Sequence, residues 1–145
     1  MKPIKKFIVG SKVFFDGMPG FNPHDVDILC IMDIWNIEDT NILNMKLNGE
    51  DVFFTKNMNK EEFIQNAFEE SPMRIGKFMA PEFAEYIGFN INDLPRLKPL
   101  LAKLDKKHKY YVSIYNSYMK NGDFKLTKQQ RQVAFDIYKK ERGMS

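Results

Sequence analysis

The sequence predicts an α+β fold in a single domain, residues 1–145, mainly strands over 1–58 and mainly helical over 59–145. Three observations carry that expectation. "KFIVG" and "DVDILCIMD" are short apolar runs bounded by turn residues, as buried strands are. From Asn59 onward the pattern changes, and Phe63, Ile64, Ala67 and Phe68 recur at three- and four-residue spacing. No linker, repeat or low-complexity tract divides the chain, and 145 residues suffice to bury one core.

Taken in order, the first strand runs through "KFIVG", and "SKVFFDG" has room for only one or two helical turns. Two prolines and a glycine make "MPGFNPH" a loop before the second strand. "NILNMKLNGEDVFFTK" reads as a hairpin turning at Asn48-Gly49, with "IEDTN" as the other candidate turn. Asn59 with Glu62 three residues later opens the first helix as a capping box. "SPMRIGKFMAPEFAEYIGF" holds one short helix starting at Pro81. A long helix follows from Asn92 or Asp93 to about Met119, kinked or split by Pro99 and stopped by Asn121-Gly122. The last helix begins with the box Thr127-Lys128-Gln129-Gln130 and runs to Arg142, where Gly143 ends it.

Composition narrows the class. Apolar residues make up 43% and charged ones 28%, a globular rather than a disordered balance. Cys30, the single cysteine, excludes an internal disulfide and reads as a small buried hydrophobe. The four-residue apolar run of "MKPIKKFIVG" is too short for a signal-peptide core, and no apolar stretch approaches the ~20 residues of a membrane span. A soluble, cytoplasmic protein with no membrane partner is expected. The net charge of +3 is uneven: residues 1–100 carry 11 basic against 15 acidic side chains, and residues 101–145 carry 11 against 4. That C-terminal excess suits either a solvated helix surface or a polyanion-facing patch.

The chemistry-bearing feature is Asp25-Val26-Asp27. In a strand, residues i and i+2 share a face, which puts the two Cβ atoms about 6.5–7 Å apart. Carboxylates that close repel, and either solvent at the sheet edge or a bound cation relieves them. Hard Mg²⁺, which takes oxygen ligands, is one such cation. Asp33 lies about 20 Å further along an extended chain and ends the strand instead. Upstream, Gly10-Ser11 follows the first strand. Glycine there permits close backbone approach, Ser11 with the amides of a helix start suits phosphate oxygens, and Lys12 adds positive charge.

"FIVGS", thirteen residues, then "DVDIL" resembles the signature of the nucleotidyltransferase superfamily, whose members include antibiotic nucleotidyltransferases, minimal nucleotidyltransferases of toxin–antitoxin modules and RNA-tailing polymerases. The resemblance covers about 27 residues, Phe7 to Asp33, and the first 56 if the following hairpin belongs to it. The resemblance implies a mixed-sheet core, a nucleoside triphosphate substrate and Mg²⁺ held by Asp25, Asp27 and a third carboxylate on a neighbouring strand. Asp51 is the best match for that third acid. Glu50 alternates to the opposite face, and Phe53 would share the Asp51 face; a polar turn residue after Asn48-Gly49 is the other reading of Asp51. Gly10, Ser11 and Lys12 would hold the β- and γ-phosphates. The implied reaction transfers a nucleoside monophosphate to a hydroxyl of a protein, an RNA or a small molecule. The alternative is an inactive nucleotide- or RNA-binding module of the same fold. Members of the superfamily usually carry a helix ahead of the first strand, and only six residues precede it here, so a C-terminal helix has to cover that face.

Other residues read as supporting ones. His24 either touches phosphate or is an ordinary loop histidine, and His108 belongs to an exposed helix face. Lys103, Lys106, Lys107 and Lys109 beside Tyr110 and Tyr111 mix basic and aromatic character as nucleic-acid surfaces do. Tyr111, Ile114, Tyr115 and Tyr118 nevertheless fall at helical spacing, which marks the aromatics as core; Met32 and Trp35 read as packing.

Overall fold

A computed structural model describes residues 2–144. Four strands form one sheet: β1 (Pro3–Val9), β2 (Asp27–Met32), β3 (Ile42–Leu47) and β4 (Glu50–Lys56), in the spatial order β1-β2-β4-β3. β2 and β4 are parallel, and the two outer pairs are antiparallel. Helices follow, as expected for an α+β chain: α1 (Ser11–Phe15) between the first two strands, then α2 (Lys60–Phe63) continuing into a π-helical turn (Ile64–Phe68), α3 (Met73–Phe78), α4 (Pro81–Ile87), α5 (Leu94–Leu101), α6 (Tyr110–Asn121) and α7 (Lys128–Glu141).

Alternation sorts the strand residues onto two faces. Phe7, Val9, Leu29, Ile31 and Phe53 point into the main core, where the helices supply Phe15, Phe63, Phe68, Phe78, Phe83 and Phe135. Ring pairs such as Phe53–Phe78 and Phe63–Phe83 meet edge to face at 5.2 Å, the geometry aromatic quadrupoles favour. On the opposite face Cys30, Met32 and Val52 form a small cluster covered by Trp35, whose indole N–H donates to the Thr40 carbonyl. The rest of that face is open, and Ile8 and Met45 are each about half exposed there.

Several local expectations hold. Asn48 and Gly49 both adopt positive φ (52° and 82°), the type I′ geometry that joins β3 to β4. The Asn59/Glu62 and Thr127/Gln130 capping boxes both form. The C-terminal helix α7 packs on α1, and the helix that lies against β1 is α4. Phe135 and Tyr138 pack on Phe15, and the Arg131 guanidinium donates to the Phe14 and Asp16 carbonyls at the end of α1. Phe7 of β1 packs against Phe83 and Tyr86 of α4.

Three expectations are corrected. Asp25 lies outside the strand, because Asn22 accepts from the His24 amide through its side chain and from the Asp25 amide through its carbonyl, and this turn delays β2 until Asp27. The segment from Ser71 to Phe89 holds two helices rather than one, since Pro81 opens α4 immediately after α3 has closed. The long helix is split, but not at Pro99, which sits inside α5. The break falls over 102–109, where Asp105 accepts from the Lys107 amide, and Glu141 of α7 caps the start of α6 by accepting from the amides of Lys109 and Tyr110.

Gly76 lets α3 meet α6. A Cβ there would stand 2.2 Å from the Tyr111 ring, which is itself buried. Gly76→Ala is therefore expected to lose about 1–3 kcal/mol through overpacking, read as a lower urea midpoint at unchanged slope; an unchanged midpoint would show that the two helices separate freely.

Candidate active site at the end of the central strands

β1 ends at Val9, and the chain turns into α1 through Gly10 at φ 78°, a left-handed conformation that glycine adopts without steric cost. Space demands glycine there as well: a Cβ would lie 2.4 Å from Oδ2 of Asp27. The Gly10 amide donates to the Lys77 carbonyl at 2.9 Å, which ties the turn to α3. Ser11, buried at the start of α1, donates from its hydroxyl to Oδ2 of Asp25 at 3.4 Å. The Tyr138 hydroxyl of α7 donates to the same oxygen, also at 3.4 Å.

Strand register sets the other two acids. Val9, Asp27, Asp51 and Lys46 stand in one row across the four strands, with Asp27 and Asp51 directly paired in the parallel β2–β4 ladder. In-register neighbours of adjacent strands share a face and have backbones about 4.8 Å apart. The Asp51 amide donates to the Val26 carbonyl, extending the ladder to the strand entrance. Glu50 alternates away, as its position beside Asp51 predicts.

Asp27 is only 3% exposed. Burial raises its pKa; the Lys77 ammonium, 2.9 Å from Oδ1, opposes that rise, and the charges of Asp25 and Asp51 add to it. The two other acids are thus near enough to act on Asp27. No group of three or more His, Cys, Asp or Glu side chains is gathered to hold a metal ion among the described residues. Lys77 supplies the cation in this arrangement, and its ammonium also lies 5.4 Å from the Phe53 ring centre. Lys46 approaches Asp51 at 3.6 Å from the exposed edge.

Of the six site residues expected from sequence, Gly10, Ser11, Asp25, Asp27 and Asp51 converge on this end of the sheet. Lys12 does not turn its charge toward them: its ammonium bonds Asp16 at 3.1 Å and the Pro23 carbonyl at 3.0 Å, stapling α1 to the following loop. His24 bonds Asn22 through its backbone amide, with no side-chain hydrogen bond among the described residues, and His108 pairs with Asp105 at 2.6 Å. Tyr110 and Tyr111 are buried, so they offer no stacking surface.

Lys77 and Tyr138 are the two contributors that sequence reasoning missed. Lys77 is a lone charge in the apolar run "IGKFMA", a visible irregularity, yet its partner lies 50 residues away. Tyr138 falls in the apolar stripe of α7 with Ala134 and Phe135 and reads as packing; only its hydroxyl reaches the site.

The chain has no match among protein-family models, among curated proteins or among solved structures.

Removing Lys77 leaves Asp27 buried without a partner. Lys77→Met is expected to cost about 3 kcal/mol at pH 8. A carboxyl whose folded pKa lies above its unfolded value takes up a proton on folding, so the deficit shrinks as pH falls from 8 toward 5. Adding Asp27→Asn to Lys77→Met should recover most of it. Equal losses at both pH values in denaturant titrations would contradict this role of the pair.

Proposed function

We propose that the chain is a Mg²⁺-dependent nucleotidyltransferase that moves a nucleoside monophosphate from a nucleoside triphosphate to an acceptor hydroxyl. The observation that carries this reading is the in-register pairing of Asp27 with Asp51 on the face that the Gly10-Ser11 turn closes and Asp25 adjoins. A buried carboxylate with two more acids nearby is costly to a fold, and such costs cluster where chemistry uses them.

The donor chemistry fits magnesium. Asp25, Asp27 and Asp51 offer hard oxygen atoms only, and the buried charge of Asp27 already requires a cation beside it, the place Lys77 fills. When bound, the metal supplies charge neutralisation at the phosphates and at the attacking and leaving oxygens. The chain's own groups do the rest. Gly10 keeps the backbone low against Asp27, so phosphate oxygens approach the turn unobstructed. Ser11 donates to a phosphate oxygen in exchange for its long bond to Asp25. Lys77, released from Asp27, remains within reach as a donor to the triphosphate. Asp51, a third exposed, takes the proton of the acceptor hydroxyl as its oxygen bonds to the α-phosphorus and the bond to the bridging oxygen breaks, releasing pyrophosphate. Protein, RNA and small-molecule hydroxyls all satisfy this chemistry. No helix is long and apolar enough to cross a membrane among the described residues, and the single buried thiol of Cys30 fits a reducing cytoplasm.

A second reading, a module that binds nucleotide without transferring it, is favoured by the Asp27–Lys77 ion pair, which neutralises one carboxylate without metal. Melting temperatures with each of the four nucleoside triphosphates, with and without Mg²⁺, separate the two. For the enzyme, one nucleotide at a hundredfold excess over its Kd stabilises by about 2.7 kcal/mol, roughly 5–10 °C for a domain of this size, only with Mg²⁺ and not in Asp25→Asn/Asp27→Asn. A shift that needs no metal, survives that double variant and disappears in Lys77→Met would establish the binding module instead.

A further inference from the structure

A groove of about 800 Å³ runs between α5, α6 and α7, and no acidic residue lines it in a chain that has 19. Lys98 of α5 stands on one wall, and Lys109 and Lys120 stand at the two ends of α6. Lys109 and Lys120 are eleven residues apart, close to three helical turns, so they share a face about 16 Å in length. Ser113, Asn116 and Ser117 lie between them in the groove. The buried side of α6 is taken by Tyr110, Tyr111, Ile114, Tyr115 and Tyr118, so this polar stripe is the face the helix turns outward.

None of the three lysines has a carboxylate within 4 Å among the described residues; the Lys109 ammonium reaches only the Ala102 carbonyl, at 3.5 Å. Three of the four acids of residues 101–145 are occupied elsewhere: Asp105 holds His108, Asp123 accepts from the Lys125 amide, and Asp136 lies against Lys139 and Gln132. The fourth, Glu141, spends its two oxygens on the Lys109 and Tyr110 amides and pairs with no ammonium. Among the described residues, the three ammonium groups of the groove are therefore without a carboxylate partner.

We propose that this groove binds single-stranded nucleic acid along its phosphate backbone. A face of that length accommodates a short run of a single strand, a few nucleotides long. Cations at both ends with small hydroxyl and amide donors between them suit a row of phosphate oxygens and sugar hydroxyls. Leu101, Val112 and Ile137 line the groove beside these polar groups, and a concave channel suits an extended strand better than a membrane, which selects an exposed apolar face beside a basic one. The inference stands apart from the nucleotidyl-transfer reading, because none of its residues belongs to the carboxylate site. If both hold, the bound strand is the natural acceptor.

The test is fluorescence anisotropy with a labelled 15-nucleotide RNA of mixed sequence and its DNA counterpart, from 50 to 300 mM KCl. Each neutralised phosphate of a single strand contributes a slope of ~0.7 in log K against log salt, so Lys98→Gln/Lys109→Gln/Lys120→Gln should flatten the slope by about 2 and weaken binding at least tenfold at 100 mM. Lys2→Gln/Lys6→Gln/Lys56→Gln, which removes the same charge from the strand half, should leave the slope unchanged. Equal losses in both variants, no binding at 50 mM salt, or a groove-dependent loss seen with phosphatidylserine vesicles and not with RNA would each overturn the proposal. The nucleotide-induced melting shift should survive in the groove variant, which keeps failure of this site distinguishable from failure of the other.

Discussion

A carboxylate buried at the edge of an aromatic core is the constraint around which this fold is arranged. Asp27 sits on the core face of the central strand with almost no access to water, and an uncompensated charge there would cost several kcal/mol. Separate parts of the chain answer it. Gly10 gives up its side chain so that the carboxylate fits against the turn, and α3 is held so that Lys77 reaches Oδ1 while its own carbonyl fixes the Gly10 amide. One residue of α3 therefore secures the site twice, by backbone and by side chain.

The placement of the helices follows from the same end of the sheet. Gly76, next to Lys77, brings α3 onto Tyr111 of α6, and Tyr138 of α7 reaches Asp25 across the α1 surface. The Arg142 guanidinium lies 4.1 Å from the Tyr138 ring centre and 5.1 Å from that of Tyr110, closing the helical layer behind the carboxylates. The helices are thus more than a lid on a hydrophobic sheet. They deliver the polar tips that a row of acids requires.

What the sequence discloses and what it hides divide along range of interaction. Asn48-Gly49, the two capping boxes and the strand-to-helix change at Asn59 were legible because each is decided within a few residues by turn and cap chemistry. The pairing of Asp27 with Asp51 was accessible as a resemblance, and strand alternation alone chose Asp51 over Glu50. Asp25 was misplaced into the strand because a side-chain turn at Asn22 competes with the ladder, a contest that periodicity does not register. The split of the long helix was expected at Pro99, but the break was made by Asp105 and by Glu141, the latter over thirty residues away. Lys77 and Tyr138 stayed hidden for the same reason: their partners are set by packing, not by neighbours in sequence.

The proposed role of this row of acids is to hold a divalent cation and a triphosphate. A crystal structure with Mn²⁺ and a non-hydrolysable nucleoside triphosphate analogue is the decisive measurement. An anomalous peak in coordination range of Asp27 and Asp51 is expected, with Lys77 turned from Asp27 to a phosphate oxygen. A structure in which Lys77 still grips Asp27, no peak lies beside the acids and the nucleotide is bound elsewhere or not at all would contradict it.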